Sequence, residues 1–311
     1  AAVKASGGIE RMSLGSTKTL TILPLIDWYT LNDTDLPLYG EAGVSILVKT
    51  DEETILFDFG FGRELVSDPR PVDQRDTGTN RTSKLIANMH ALGVEAKDVT
   101  MLFLSHRHSD HMGGINAMLT DTINTGPGKP LDLDGLTLWS PTNTSYPGVK
   151  TRVVGPQPTV IGKGLASIGS IPRQLFLGTV IASGAILEHS LAVNVEGKGI
   201  VVVVGCGHQT VRHIVQRVRH AFPNTPFYGI LGGLHYPVPH GHGRLQLLGG
   251  LIEGQYLFAS GKGPMEPLTF EEVEEERQAI AAAGAHLVGL GGHDSSDDVL
   301  EAWRDRFGTS V

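Results

Sequence analysis

The stretch Ser105-His106-Arg107-His108-Ser109-Asp110-His111-Met112-Gly113-Gly114 puts three imidazoles and one carboxylate into six consecutive positions, directly after the apolar run Val99-Thr100-Met101-Leu102-Phe103-Leu104. An apolar run of that length reads as a buried strand, so the polar cluster falls where the strand ends. His106 and His108 are two apart and project to the same side of an extended segment, where both can grip one ion. Asp110 and His111 follow after a turn, which can aim both at a second ion beside the first. Imidazole nitrogen and carboxylate oxygen suit zinc best, and iron or manganese accept the same donors. The plainer alternative, a polar turn with solvated histidines, leaves the density of ligand-type side chains unexplained. Gly113-Gly114 then open a helix through Ile115, Met118 and Leu119, which gives the order strand, ligand loop, helix.

A chain of 311 residues with 40% hydrophobic side chains is long enough for one large or two small domains with a sizeable core. Lys+Arg 25 against Asp+Glu 33 leaves a net charge of −8, with 6% aromatics and no basic block. A nucleic-acid polymer is therefore not an expected partner, and a small-molecule substrate is. No apolar run reaches the roughly 18 residues that span a bilayer, so no membrane partner is expected either. The single cysteine, Cys206, excludes an internal disulfide and leaves the redox compartment open. Residues 1–16 are mostly small and polar and read as an N-terminal extension to one domain over 17–311. They leave the location open between cytoplasm and, if Ala1 follows a cleaved signal peptide, periplasm. Oligomeric state is not legible.

Upstream of the cluster, Thr17 to Ile26 reads as a buried strand entering a loop at Asp27. Gly43 to Lys49 and Thr54 to Asp58 flank a polar turn and read as a hairpin. Asp58, at an apolar strand end before Phe59-Gly60, either caps the turn or reaches under a neighbouring loop to hold a metal-binding histidine. Asp68 to Arg81 is charged and contains proline, and reads as a surface loop that either connects or forms a lid. Ser83 to Leu92 carries Leu85, Ile86, Met89 and Leu92 at helical spacing, with His90 on the polar side. Residues 120–184, rich in proline and glycine, read as short strands at Thr137 to Ser140 and Leu175 to Ile181 joined by long loops.

The opening device then recurs. Ser190 to Val195 and Gly199 to Val204 form a second hairpin whose last strand runs into Gly205-Cys206-Gly207-His208, followed by a helix over Val211 to Ala221. Cys206 and His208 share the two-residue spacing of His106 and His108. Cys206 alone reads as a buried inert thiol or as a ligand, and His208, where strand meets helix, as a metal contact. Phe227 to Leu231 is a strand ending at Gly232-Gly233-Leu234-His235-Tyr236, so His235 is placed to bind metal or donate to substrate. His240 and His242 lie in a Gly/Pro loop and read as lid or surface residues. A helix over Phe270 to Ala283 precedes a strand, His286 to Leu290, that delivers His293. Asp294 and Ser295 read as caps of a last helix, Asp297 to Phe307.

Ligands at strand ends, two hairpins each leading to a ligand loop, and a helix after each loop describe an internally duplicated α/β sandwich. In these features the chain resembles the metallo-β-lactamase fold superfamily. Asp58, the His106/His108/Asp110/His111 signature with Gly113-Gly114, the strand end at Gly205 and the late His293 occur in that family's order. The resemblance spans Thr17 to about Ser296 and implies a four-layer αββα sandwich with a dinuclear site between two sheets. It is closer to the branch of 7,8-dihydropterin-6-methyl-4-(β-D-ribofuranosyl)aminobenzene-5′-phosphate synthase-like proteins. The matching segments are Ile26-Asp27, Glu41-Ala42-Gly43-Val44-Ser45, His106 to His111, Gly205-Cys206-Gly207-His208, Gly232-Gly233-Leu234-His235 and Gly292-His293. Ala42 stands where histidine is frequent, and His293-Asp294-Ser295-Ser296 replaces the usual H-C-T-G.

The resemblance implies His106, His108 and His208 on one metal and Asp110, His111 and His293 on the other. Cys206 occupies the place where an aspartate usually bridges, and His189 is too near a strand start to supply the third histidine. It also implies a hydrolase in which a metal-bound hydroxide attacks an ester, lactone, amide or phosphoester of a small molecule. Asp110 would hold its metal and orient the nucleophile, while His235 and Tyr236 would donate to an oxyanion or leaving group. The alternative is a pterin-phosphate synthase-like transferase. Oxidoreduction by a di-iron version usually accompanies an electron-carrier domain, for which this length leaves no room.

Overall fold

The computed structural model describes residues 8–30, 35–62, 83–126, 128–173, 186–236, 246–247, 252–253 and 268–307. The first hairpin opens one sheet. Strands β1 (Thr21–Ile26), β2 (Ser45–Lys49), β3 (Thr54–Phe57), β4 (Met101–Phe103), β5 (Thr137–Ser140) and β6 (Lys150–Val153) lie side by side in that order. β1, β2 and β3 form an antiparallel meander, and β3 through β6 run parallel. Parallel neighbours need crossovers, and the first two contain helices: α1 (Lys84–Ala91) before β4, then α2 (Ser109–Met112) and α3 (Ile115–Thr120) before β5.

The second half repeats the plan. Strands β7 (Thr159–Gly162) and β8 (Leu165–Ser167) lead to a two-stranded ribbon of β9 (Ile171–Arg173) and β10 (Ile186–Glu188), then to β11 (Leu191–Val195) and β12 (Gly199–Val204). Helix α4 (Val211–Ala221) carries the chain to β13 (Phe227–Gly232); a two-stranded ribbon of β14 (Gln246–Leu247) and β15 (Ile252–Glu253), helix α5 (Phe270–Ala282), β16 (Leu287–Leu290) and α6 (Asp297–Phe307) complete it. The second sheet has the order β16-β13-β12-β11-β8-β7, parallel from β16 to β12 and antiparallel beyond.

Three apolar cores separate these parts into four layers. All six residues of β12, Gly-Ile-Val-Val-Val-Val, are buried, because both faces of that strand are covered. Val201 and Val203 meet Ile46, Val48, Ile55, Phe57 and Phe103 in a core between the two sheets. Ile200, Val202 and Val204 point the other way, toward Ile214, Val215 and Val218 of α4, Val273 and Ile280 of α5, and Trp303 of α6. The outer face of the first sheet puts Leu56, Leu102 and Leu138 against Leu85 and Met89 of α1. The alternation of side chains along each strand thus builds helix, sheet, sheet, helix, with each fully buried Val or Leu contributing about 1.5–3 kcal/mol. This is the αββα sandwich expected from the sequence.

Residues 8–16, read from sequence as an extension, lie against the second half: Met12 N donates to Ala221 O at 2.8 Å, and Leu14 joins the outer core. Between α3 and residue 173 the described chain is strand and turn without a helix, in line with its proline and glycine content. The predicted strand at Leu175 to Ile181, the loop Asp68 to Arg81, and His240 and His242 lie outside the described residues. No helix among the described residues is long and apolar enough to cross a membrane.

Candidate metal centre

Every predicted ligand sits just beyond the end of a strand. After β4, His106 pairs through its backbone with Glu188, and His108 precedes the single turn of α2, which carries Asp110 and His111. That turn stops at Gly113, whose φ of 86° is left-handed and whose missing Cβ leaves room for the Asn124 carbonyl. After β12, Gly205 brings the second ligand loop against the first; a Cβ there would overlap Ser105 Oγ. Gly233, after β13, passes equally close to Gly205 O and the His293 ring.

These approaches bring six predicted ligands and Cys206 together in two groups. His106 Nε2 lies 3.0 Å from His108 Nδ1, and His208 Nε2 lies 3.2 Å from the same nitrogen. In the second group His111 Nε2 is 3.0 Å from Cys206 Sγ and 3.4 Å from Asp110 Oδ2, while His293 Nε2 is 3.2 Å from Cys206 Sγ. Each group offers ligand atoms that all lie within 4.8 Å of one another, and Cys206, His208 and His235 form a third such set. His106, His111, Cys206, His208 and His293 are buried. Donors around a tetrahedral zinc, bonded at about 2.0–2.3 Å, lie roughly 3.3–3.8 Å apart, so both groups have the size and the chemistry of a divalent-cation site.

The rings are oriented from behind. Asp58 Oδ2 sits 2.6 Å from His111 Nδ1 and accepts the Ser105 hydroxyl at 2.6 Å, while Oδ1 accepts Ser105 N at 2.7 Å. Ser105 Oγ in turn lies 2.9 Å from His106 Nδ1. Of the two roles open to Asp58, the structure therefore shows the one that holds a histidine. Asp58, Thr210 and His235 all have left-handed φ, at 57°, 68° and 55°. Such strain, about 1–3 kcal/mol per residue, persists only where the surroundings enforce it. Asp27, at the end of β1, accepts Gly292 N at 3.1 Å and so steadies the loop bearing His293. His293 Nδ1 is buried without a hydrogen-bond partner among the described residues.

One reading of the sequence needs correction. Asp294 and Ser295 do not cap α6: Asp294 Oδ2 accepts His235 N at 3.0 Å, Ser295 Oγ accepts Tyr236 N at 3.3 Å, and the Ser296 carbonyl receives the first helical N–H groups. Their side chains turn inward because the His235 loop leaves its N–H groups facing them. Sequence reasoning also passed over Glu188 as a contributor. Its buried carboxylate accepts the N–H groups of Cys206, Gly207 and His208, and its only signal was a charged residue ending an otherwise apolar stretch.

Burial lowers the pKa of His106 and His293 well below the ordinary range and takes His108 to about 4, for His293 and His108 against the pull of Asp110. These rings are thus neutral and keep a lone pair for a cation. Burial opposes charge on Asp110 and on His111 as well, but each offsets it for the other. Asp110 is held well below the carboxylate range, and His111, flanked also by Asp58, well above the imidazole range. Burial among carboxylates pushes the Cys206 thiol up, a bias that a bound cation would reverse. Burial raises Glu188 to about 7 despite its three N–H donors.

An αββα sandwich whose strand ends converge on two groups of imidazole, carboxylate and thiol donors defines a class of candidate metalloproteins. The chain belongs to the metallo-beta-lactamase superfamily, which it matches over residues 38–211. It is 21% identical over 253 residues to 7,8-dihydropterin-6-methyl-4-(beta-D-ribofuranosyl)-aminobenzene-5'-phosphate synthase of Methanocaldococcus jannaschii, covering 72% of this chain and 80% of that protein. Among solved structures it is similar to Tm1679, a metal-dependent hydrolase of the beta-lactamase superfamily, with a TM-score of 0.55 and 17% identity over 93% of this chain and 94% of the other. The metallo-beta-lactamase fold protein YhfI of Bacillus subtilis gives a TM-score of 0.48 and 12% identity, covering 94% and 95% of the two chains.

Proposed function

We propose that this chain is a metal-dependent hydrolase that holds two ions and cleaves an ester, lactone, amide or phosphoester of a small molecule. The observation that carries the reading is the convergence of His106, His108 and His208 beside Asp110, His111, Cys206 and His293, mostly buried and with the His106, His108 and His293 rings held neutral. Imidazole with a thiol favours zinc, with iron or manganese as the other candidates. Bound ions would supply Lewis acidity toward a substrate oxygen and an acidified water.

The chain's own groups supply the rest. Asp110, whose side chain is 29% exposed, is the donor of its group that reaches the mouth of the site as a stable carboxylate, able to orient a proton of an attacking water. The His235 ring lies 4.7 Å from that of His208, and both line a cavity of about 280 Å³ with Tyr236, Arg212 and Glu276. Tyr236 Oη is buried without a hydrogen-bond partner among the described residues, so a substrate oxygen or leaving group can take its proton.

The similarity to the dihydropterin-phosphate synthase supports a second reading, a transferase that positions a phosphorylated acceptor on the same ligands. Metal analysis of freshly purified, unchelated protein, followed by panels of lactones, p-nitrophenyl esters, β-lactams and phosphodiesters, tests both. Two ions per chain and chelator-sensitive hydrolysis are expected. Two ions with complete silence on the panels would favour the transferase, and metal-free protein would refute the common premise.

A further inference from the structure

Residues 188–190 form a strut between the two ligand loops. At the end of β10 the fully buried Glu188 carboxylate accepts three consecutive backbone N–H groups: Cys206 at 3.0 Å and Gly207 at 2.9 Å on Oε1, and His208 at 2.7 Å on Oε2. The left-handed Gly207, φ 68°, helps turn those N–H groups into one concavity, a shape that favours an anion. The backbone of Glu188 pairs with His106, and His189 N donates to Ser105 O at 3.0 Å. His189 Nε2 reaches Leu104 O at 2.8 Å, and Ser190 Oγ accepts Gln209 Nε2 at 2.7 Å. Three residues therefore hold positions 104–106 on one side and 206–209 on the other.

We propose that Glu188 is a positioning residue that fixes the loop 206–208 against His106 and thereby sets the spacing of both donor groups; the inference rests on the metal reading above. Cys206 and His208 belong to different groups, so one carboxylate registers a donor for each ion. A carboxylate is required because both of its oxygens accept. An amide in its place satisfies one side and turns its own NH2 toward an N–H on the other. An apolar replacement strands three buried N–H groups without an acceptor, which makes Glu188→Ala a poor probe.

The test is zinc binding by Glu188→Gln, measured by equilibrium dialysis, with circular dichroism and melting of the metal-free protein as the folding control. The amide oxygen can serve Cys206 and Gly207, leaving His208 N facing the NH2. The affinity of the His106/His108/His208 group is therefore expected to fall about 10–100-fold. The group containing Asp110, His111, Cys206 and His293 keeps its equivalent, and cobalt there retains the thiolate charge-transfer absorption of Cys206. A folded variant that binds both equivalents with wild-type affinity overturns the proposal. If Glu188→Gln does not fold, Glu188→Asp, which withdraws both oxygens by one methylene, is read in the same way: weakened binding supports the proposal and wild-type affinity overturns it. Wild-type protein without zinc affinity would instead remove the metal reading, a separate failure visible before any variant is made.

Discussion

His189 makes acid stability measurable residue by residue. Its ring is fully buried, stacked on Phe103 with centroids 4.1 Å apart, and both nitrogens are engaged. Nε2–H donates to Leu104 O at 2.8 Å, which leaves Nδ1 of the neutral ring to accept the Ser167 hydroxyl at 2.8 Å, while Ser167 Oγ itself accepts Gly169 N. The neutral tautomer is thereby satisfied, and burial lowers the pKa to about 3, against the opposing pull of Leu104 O. The unfolded chain binds that proton near 6.5, so between 6.5 and about 3 the unfolded state holds more protons and stability rises with pH. The full contribution is present above 6.5 and is lost as pH falls toward 3. At 1.36 kcal/mol per pH unit that interval is worth about 5 kcal/mol. Urea unfolding of wild type and His189→Gln in chelator between pH 4 and 6 isolates it. The histidine ligands titrate in both proteins and cancel, and the lost stacking gives a pH-independent offset. The wild-type curve should be steeper by about 1.4 kcal/mol per pH unit. Parallel curves would refute the assigned protonation state.

His108→Ala removes the nitrogen that lies 3.0–3.2 Å from both His106 and His208; turnover is expected to vanish while circular dichroism is unchanged, and wild-type rates would sink the mechanism. Asp58→Asn replaces the acceptor shared by His111 and Ser105 with an amide, and metal affinity should drop about 10–100-fold in a dialysis measurement, with unchanged affinity counting against the orienting role. Gly113→Ala forces a Cβ into the Asn124 carbonyl at a φ of 86°; a loss of about 3 kcal/mol or more in urea unfolding is expected, and a neutral effect would contradict the turn geometry. Cys206→Ser should abolish the cobalt–thiolate absorption, and its persistence would exclude Cys206 as a donor.

The loops that carry the candidate donors were legible because strand-end chemistry is local. His106 and His108 share a side of one extended segment, and the apolar run before them announces the strand. The doubled device predicted the sandwich for the same reason: β12 is apolar at every non-glycine position, which a strand covered on both faces must be. The side chains behind the donors were legible only in part. Asp58 was marked by its place at an apolar strand end, though not its histidine 53 positions away. Glu188 acts on residues 18 to 20 positions away in sequence, a separation that leaves no periodic trace. Asp294 was misassigned because an Asp-Ser pair before a helix is a common capping sequence, and only the approach of the His235 loop makes its inward orientation the better satisfied one.

The site lies on the seam between the two halves, and that position constrains how it can fail. Each donor group takes residues from both halves: His208 joins His106 and His108, and Cys206 with His293 joins Asp110 and His111. The contacts that bring them together are glycine approaches, Gly205 against Ser105 and Gly233 against Gly205 and His293, with no side chain to flex. A displacement of one sheet relative to the other is therefore transmitted to both groups at once. A cation bound to the folded chain resists that displacement with a free energy set by its own affinity. The inter-sheet core of Phe57, Phe103, Val201 and Val203 resists it in the absence of metal. The glycines beside the ligands are thus as much a part of the centre as the histidines, because the donor spacing depends on how closely two bare backbones can approach.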